Sequence, residues 1–419
     1  MSEITQSTAK NSLDPVSKRD HMAQISATQA VNLINKQSAP MPMLQLLNSN
    51  GDILNVQYRD AWDKDTAMKL FYAMHFTRIL DERMVGAQRQ GRISFYLACT
   101  GEEAAIVGAT AGVEMRDMIM TQYREQGALA YRGYTAIQFM NQMFSNALDP
   151  NKGRQMPIHY GDKALNFMTV SSPLGTQIPQ AAGYAYGQKM SGEDAITLCF
   201  FGEGAASEGD FHAGLNMAAV LECPCIFLCR NNGYAISTPA DEQFKGDGIA
   251  SRGIGYGVHT IRVDGNDALA MYVASKEARI YALKHNCPVL IEAMTYRLAA
   301  HSTSDDPSGY RSRDEEALWR EKDPIMRMHR YLQHVGWLDE KALDGFITQT
   351  RSDLLAAVKF AEKQAIAPLA EIVTDVYAQV EPHLQDQLDA LQMHVNKYPE
   401  AYPKTSQQTT ADEPGEGVQ

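Results

Sequence analysis

Nowhere in the chain do about 18 apolar residues run together, so the sequence offers no candidate membrane span. Positive charge is scarce as well: 38 Lys and Arg stand against 50 Asp and Glu, a formal net charge of -12 at pH 7. Nucleic-acid binding draws its affinity from clustered Lys and Arg that neutralise phosphates, and this deficit excludes it as a general role. A local basic pocket for one phosphorylated ligand stays open. The six cysteines (Cys99, Cys199, Cys223, Cys225, Cys229 and Cys287) fall at no zinc or C-x-x-C spacing and read as reduced core thiols. A G-x-G-x-x-G opening at a first βα unit is missing, which leaves little room for a nicotinamide dehydrogenase. The N-terminal "MSEITQSTAKNSLDPVSKRD" lacks the hydrophobic core of a secretory signal. It also carries Glu3, Asp14 and Asp20, where a mitochondrial presequence is poor in acids. The cytoplasm is the expected compartment.

What is present is an ordinary globular composition, 44% apolar and 21% charged over 419 residues, enough to bury a large core. Residues 1–40 are polar and form an expected N-terminal arm. Between Met43 and Asn55 two short apolar runs flank Asn-Ser-Asn-Gly-Asp, the pattern of a hairpin. A long helix is expected from about residue 65 to Gly91, with Asp63 or Asp65 near its N-cap. "DMIMTQY", "AITLCFF", "CIFLC", "HTIRV" and "PVLIEAMTY" are strand candidates separated by helical stretches. That alternation predicts an α/β fold, a mainly parallel sheet with helices on both faces. A polar loop covers 297–315, and the pattern from Ala317 to Val395 is helical, with Trp319, Tyr331, Leu332 and Trp337 as core candidates. The expected organisation is an α/β domain over 41–345, a helical C-terminal extension over 346–398 and a flexible tail over 399–419. No internal repeat is found.

The chemistry concentrates in "FFGEGAASEGDFHAGLNMAAVLECPCIFLCRNNGYAIS", Phe200 to Ser237. One apolar strand ends at Gly202-Glu203-Gly204 and the next at Asn231-Asn232, with 26 residues between Gly204 and Asn231. Ligands in open α/β sheets sit at the carboxyl ends of strands, so these oxygens converge if the strands are neighbours. Gly202 and Gly204 permit a sharp turn and close approach, and Gly209-Asp210 open a helix whose free N–H groups favour an anion. One carboxylate and one or two amide oxygens make a poor complete cage. They suit Mg²⁺ shared with phosphates and water. The competing reading of a lone Gly-Glu-Gly is a plain strand–turn–helix with Glu203 as a cap and the Asn pair in a turn.

The paired motif resembles the thiamine diphosphate fingerprint, with Glu203 in place of its usual Asp. Together with "RQGRISFY", "QYREQG", "GRQMPIHYG", "SSPLGTQIPQAAGYAYG", "KGDGIASRG", "RVDGND" and "IEAMTYRLAAHSTSDDPSGYRS", it resembles the alpha subunits of branched-chain 2-oxo acid dehydrogenases over roughly residues 45–400. The resemblance implies the thiamin-diphosphate-binding fold over 41–345. It implies Mg²⁺ bound by Glu203, Asn232 and the Tyr234 carbonyl, with Gly202, Gly204 and Ala205 presenting backbone to the cofactor. Arg124 and Arg230 become cationic partners of the diphosphate, since a guanidinium fork matches phosphate oxygens. Tyr123, Ser172 and Leu174 face the cofactor. Ser171, Pro173, Thr176 and Gln177 correspond to a potassium-binding loop. His301 corresponds to the catalytic histidine, which can donate or accept a proton near neutrality. Ser302 and Ser312 correspond to positions phosphorylated in some members.

In two-chain members the carboxylic acid that activates the cofactor comes from a beta subunit. The resemblance thus implies an α2β2 heterotetramer acting on branched-chain 2-oxo acids such as 3-methyl-2-oxobutanoate. The acyl group passes to a lipoyl domain of an acyltransferase core. Pyruvate and acetoin relatives usually show Gly-Asp-Gly, an acid before Asn-Asn and His-Ser-Met-Ser-Asp. This chain has Glu203, Arg230 and His301-Ser302-Thr303-Ser304-Asp305 instead. A non-catalytic subunit that kept the fold is the rival of another class, and intact Glu203, Asn232, Arg124, Arg230 and His301 argue against it.

Overall fold

The computed structural model describes residues 40–402. The expected arm at 1–40, apart from Pro40, and the tail beyond 402 lie outside the described residues.

Among the described residues, eight strands occur in chain order: β1 (Met43–Leu44), β2 (Met118–Met120), β3 (Thr197–Gly202), β4 (Cys225–Asn231), β5 (Tyr234–Ala235), β6 (Thr238–Pro239), β7 (His259–Asp264) and β8 (Val289–Met294). Six of them build one sheet in the order β1-β7-β8-β4-β3-β2, and every pairing is parallel. The five strand candidates read from the sequence are β2, β3, β4, β7 and β8. Alternate residues of β3 and β4 serve opposite faces, as a pleated strand requires. Leu198, Phe200, Ile226 and Leu228 enter one apolar cluster, while Cys199, Phe201, Phe227 and Cys229 enter a second. Both faces are therefore covered, which is why these strands read as unbroken apolar runs.

On the first face, helix Ala268–His285 packs on helix Glu103–Ala111 at very close range. A Cβ added at Gly108 would lie 2.8 Å from the Cβ of Met271, so only glycine allows this approach. Helix Lys64–Arg89 starts where Asp63 accepts a hydrogen bond from the Thr66 N–H at 2.7 Å, so the N-cap is Asp63 rather than Asp65. On the second face lie helices Gln177–Met190 and Gly209–Val220. Five of the six cysteines are buried and none is disulfide-bonded. Burial pushes the Cys199, Cys225 and Cys229 thiols well above their usual range, in keeping with inert core residues.

The 43–55 segment forms a short hairpin on the expected Asn48–Asp52 turn: Leu47 bridges Ile53 antiparallel, the Leu54 N–H donates to the Leu46 carbonyl at 2.8 Å and the Asn48 N–H to the Asp52 carbonyl at 3.0 Å. Ahead of it, Met43–Leu44 joins β7 as a parallel edge strand, which the sequence pattern did not announce. A distant carboxylate ties the two together: Asp267 accepts the backbone N–H groups of Leu46 and Leu47 at 2.7 and 2.6 Å. Beyond β8 the chain is helical, with helices Arg313–Glu321, Pro324–His334, Glu340–Ala361 and Pro382–Lys397. Helix Glu340–Ala361 spans the 345/346 position where a separate extension was expected to begin. Tyr331 and Leu332 are core residues, but Trp319 and Trp337 are only half-buried, Trp319 lying flat against Tyr296 with ring centroids 5.1 Å apart.

Candidate active site

β3 and β4 are adjacent, and Gly202 pairs with Arg230 in register. That single registry brings the Gly-Glu-Gly and Asn-Asn turns to one edge of the sheet. Between them opens a cavity of about 270 Å³. Its lining includes the expected Tyr123, Arg124, Leu174, Gly202, Glu203, Gly204, Ala205, Arg230, Asn232, Tyr234 and His301. Gln122, Glu208, Ala235, Ile236 and Arg297 line it as well. The hairpin β5–β6 follows Asn232 immediately and folds Tyr234, Ala235 and Ile236 over the opening.

Glu203 is almost fully buried, at 1% exposure. Its Oε2 accepts the Asn232 N–H at 3.3 Å, while its Oε1 is buried without a partner. Burial, with a smaller push from the Glu102 carboxylate, raises its pKa from 4.5 to about 7. A buried carboxylate oxygen with nothing to bond is costly and calls for a cation or a donor. Asn232 Oδ1 accepts from the Tyr234 N–H at 3.1 Å, and its Nδ2 donates to Glu102 at 3.1 Å. Its carboxamide is thereby turned so that oxygen, not nitrogen, faces the Tyr234 turn. The hard oxygen donors of Glu203, Asn232 and the 232–234 backbone fit Mg²⁺ in kind.

Arg230 lines the cavity and also has commitments inside the protein. Its guanidinium lies 2.6 Å from Glu125 Oε1 and 3.0 Å from Glu102 Oε1, with all three side chains almost entirely buried. Burial opposes the charge, and Glu125 and then Glu102 outweigh it, so its pKa is raised. Glu125 also accepts three consecutive backbone N–H groups, from Gln122, Tyr123 and Arg124, and so fixes the turn on which Arg124 stands. Arg124 donates to the Ala98 carbonyl at 2.6 Å and to the His301 carbonyl at 2.5 Å, with Nη2 also 3.2 Å from His301 Nδ1.

His301 sits between two guanidiniums, Arg297 Nη1 being 3.4 Å from the same Nδ1. Burial first, then Arg124 and Arg297, lowers its pKa to about 4. Its ring is neutral at pH 7. Since Nδ1 faces only donors, the proton belongs on Nε2. Asp305 holds the backbone by accepting the His301 N–H at 2.7 Å, and Tyr310 donates to the same carboxylate at 2.6 Å.

The remaining expected residues lie nearby. Leu174 reaches the cavity wall, while Ser172 is exposed, is not among the lining residues and bonds to His159 at 2.8 Å. In the same loop Thr176 Oγ1 donates to the Pro173 carbonyl at 2.9 Å and lies 3.2 Å from Ser171 Oγ, and Gln177 Nε2 donates to the Phe200 carbonyl at 3.1 Å. Ser302 lies one residue past His301 and accepts the Ser304 N–H. Ser312 caps helix Arg313–Glu321 through the Glu315 N–H at 3.1 Å. Sequence reasoning missed Glu102, Gln122, Glu125, His159, Ile236 and Arg297. Gln122, Glu125, His159, Ile236 and Arg297 all lay inside quoted stretches, so the signal was present but unassigned. Glu102 lay outside them and gains its role only through contacts made in the fold.

The dehydrogenase E1 component family model matches residues 72–370. The chain is 48% identical to the alpha subunit of 2-oxoisovalerate dehydrogenase, mitochondrial, of Caenorhabditis elegans, over 90% of this chain and 88% of that one. It is 48% identical to the human protein of the same name, covering 87% and 82%, and 45% identical to an Arabidopsis thaliana alpha 1 subunit, covering 87% and 78%. These names overturn the cytoplasmic expectation: all three relatives are named as mitochondrial subunits. With its all-parallel sheet, the crevice between β3 and β4 and a match that spans most of its length, the chain belongs to the dehydrogenase E1 component family.

Proposed function

We propose that this chain is the alpha subunit of a thiamine-diphosphate-dependent dehydrogenase that decarboxylates branched-chain 2-oxo acids and works with a beta subunit in a larger complex. The observation that carries the reading is the unpartnered, buried Oε1 of Glu203 in a cavity bordered by Arg124, Arg297 and His301. Bound there with Mg²⁺, thiamine diphosphate supplies an electron sink for loss of CO₂ from a 2-oxo acid.

The chain's own residues have separable tasks. Glu203, Asn232 and the Tyr234 carbonyl hold the metal ion. Gly204 and Ala205 bring backbone close to the diphosphate, and Arg124 with Arg297 offers it two guanidiniums. Arg230 acts mainly inside the protein: it neutralises Glu102 and Glu125, which in turn orient Asn232 and the turn carrying Arg124. His301 presents a neutral ring whose Nε2–H is a hydrogen-bond donor, and anionic charge beside its two arginines eases its protonation. Tyr123, Ser172 and Leu174 border the organic part of the cofactor.

The loop Ser171–Gln177 is the place for K⁺, with oxygens from Ser171, Pro173, Thr176 and Gln177. A phosphoryl group on Ser302 would add about 1.5–2 negative charges one residue from His301 and draw on Arg124 and Arg297, and Ser312 is a second acceptor position. The beta subunit supplies the acid that activates the cofactor in an α2β2 assembly, and a lipoyl domain receives the acyl group. The test is 2-oxo acid decarboxylation by the purified chain, with and without a co-expressed beta subunit, given Mg²⁺, thiamine diphosphate, an artificial electron acceptor and 3-methyl-2-oxobutanoate. Activity only in the mixture is expected. Turnover by this chain alone would refute the divided site, and a preference for pyruvate would refute the branched-chain assignment.

A further inference from the structure

His159 lies outside the cavity and is absent from every task above, yet its surroundings are unusually determined. It is 4% exposed. Its Nδ1 is 3.1 Å from the carbonyl of Pro157, and its Nε2 is 2.8 Å from Ser172 Oγ. A carbonyl can only accept, so Nδ1 carries the proton and Nε2 of the neutral ring is left as an acceptor. The Ser172 hydroxyl must therefore donate to His159. Its single proton is spent, and its oxygen can offer any other partner only lone pairs.

The residue before it is held in a conformation that its side chain resists. Ile158 is fully buried at φ +67°, a left-handed backbone that β-branched residues avoid. Gln142, on helix Ala136–Met143, clamps both sides of that kink. Its Nε2 donates to the Met156 carbonyl at 2.6 Å, and its Oε1 accepts the Ile158 N–H at 3.0 Å. The kink fixes the direction in which the His159 ring leaves the chain. Among the described residues, the Ser172–His159 bond is the only side-chain hydrogen bond tying Ser171–Gly175 to a segment outside that loop. Leu174, two residues on, lines the cavity.

We infer that His159 is a positioning residue: held by the Gln142 clamp, it anchors the Ser171–Thr176 loop at the cavity edge and fixes Ser172 as a hydrogen-bond acceptor. Where a bound cofactor reaches Ser172, the group that meets it is then a cation or an N–H donor, not a phosphate oxygen. The link to the cofactor rests on the function proposed above, whereas the anchoring of the loop does not.

The experiment uses the full chain co-expressed with its beta partner and compares His159→Gln, His159→Leu, Ser172→Ala and the Leu/Ala double variant. Hydrogen exchange of the 171–176 amides is measured without cofactor, and Mg-thiamine diphosphate binding by calorimetry. Glutamine can still accept from Ser172 and leucine cannot. His159→Leu and Ser172→Ala should each speed exchange and weaken binding by about 5- to 10-fold, the loss of one such bond. The double variant should be no worse than either single one, and His159→Gln should stay near the parent. Unchanged exchange in Ser172→Ala, whose exposed side chain does not threaten folding, overturns the inference. So does additivity of the two losses, or a glutamine variant as impaired as leucine. Expected exchange effects in a protein that binds no thiamine diphosphate would instead refute the proposed function and leave the anchoring intact.

Discussion

Replacing Glu203 by Gln should stabilise the cofactor-free protein at high pH while abolishing its response to the cofactor. Burial raises the Glu203 pKa from 4.5 to about 7. The folded protein thus holds this proton more tightly than the unfolded chain does, so its stability falls as pH rises from 4.5 through 7. At about 1.4 kcal/mol per pH unit, ionisation of this nearly inaccessible group costs about 3 kcal/mol at pH 8 and little at pH 5. Glutamine keeps the shape and the oxygen that accepts from Asn232, and removes the charge. Urea unfolding of the cofactor-free assembled protein should therefore show a gain of up to about 3 kcal/mol for the variant at pH 8, and almost none at pH 5. Adding Mg-thiamine diphosphate should reverse the order at pH 8, because ligand binding stabilises only the protein that can bind it. The variant that is more stable empty becomes the less stable one when loaded. A variant destabilised equally at pH 5 and pH 8 would refute the reasoning, since it would mean that Glu203 is held by hydrogen bonds rather than strained by desolvation.

Arg230→Met should destabilise the protein by about 3–5 kcal/mol in urea unfolding, because it leaves Glu102 and Glu125 as uncompensated buried charges. Restoring neutrality with Glu102→Gln and Glu125→Gln in the same chain should recover most of that loss. Arg124→Lys should weaken Mg-thiamine diphosphate binding by about 10- to 100-fold in calorimetry, since one ammonium cannot replace a fork worth about 1.5–3 kcal/mol per charged contact. His301, with a pKa lowered to about 4, should appear neutral by nitrogen NMR at pH 6 in the cofactor-free protein. Its contribution to stability is present above 6.5 and is lost as pH falls towards 4, because only the unfolded chain takes up the proton in that window. Saturation with Mg-thiamine diphosphate should raise the pKa, and an unchanged titration would refute the placement of its phosphates beside Arg124 and Arg297.

Local signals in the sequence carried the strands, the long helix and its cap, because each is written in contiguous residues: a run of apolar side chains for β3, an Asp three residues before Thr66 for the helix. The Gly-Glu-Gly and Asn-Asn pair was legible for the same reason, needing only that two strands be neighbours. What was not legible was non-local. Gln45 meets Asp264 across 219 positions, and Leu46 and Leu47 give their N–H groups to Asp267, so the segment read as a hairpin also supplies a sheet edge just before it. Arg230 ends an apolar strand and lines the cavity, as a phosphate partner would, but nothing local announces its other contacts. Its carboxylate partners, Glu102 and Glu125, are 128 and 105 positions away. No spacing rule reaches that far.

Two of the places where the fold breaks its own local rules lie at the site or beside it. Among the described residues, seven other than glycine have positive φ. Ser145, Lys152, Asn166, Glu222 and Asn286 are polar, and a polar residue can take a left-handed turn at modest cost. The other two are Ile158 and Ile236, β-branched residues for which that backbone is strained. Ile236 lines the cavity and has its carbonyl held by Arg297 at 2.9 Å; Ile158 aims His159 at the loop beside the cavity. Unpartnered buried oxygens of Glu203 and Glu102 occur in the same region. Strain and unpaired charge persist only where surrounding structure over-determines them, here the six-stranded sheet and the Arg230–Glu125–Glu102 cluster. A ligand that relieves Glu203 returns part of that cost as binding energy, so this end of the sheet is less stable empty than filled. Relaxing either isoleucine to glycine should therefore raise the stability of the cofactor-free protein less than it lowers cofactor affinity, if pre-organisation is what the strain maintains. Denaturation of the empty protein and calorimetry of the loaded one, on Ile236→Gly, decide it: equal affinity with altered stability would mean that the strained turn is incidental to binding.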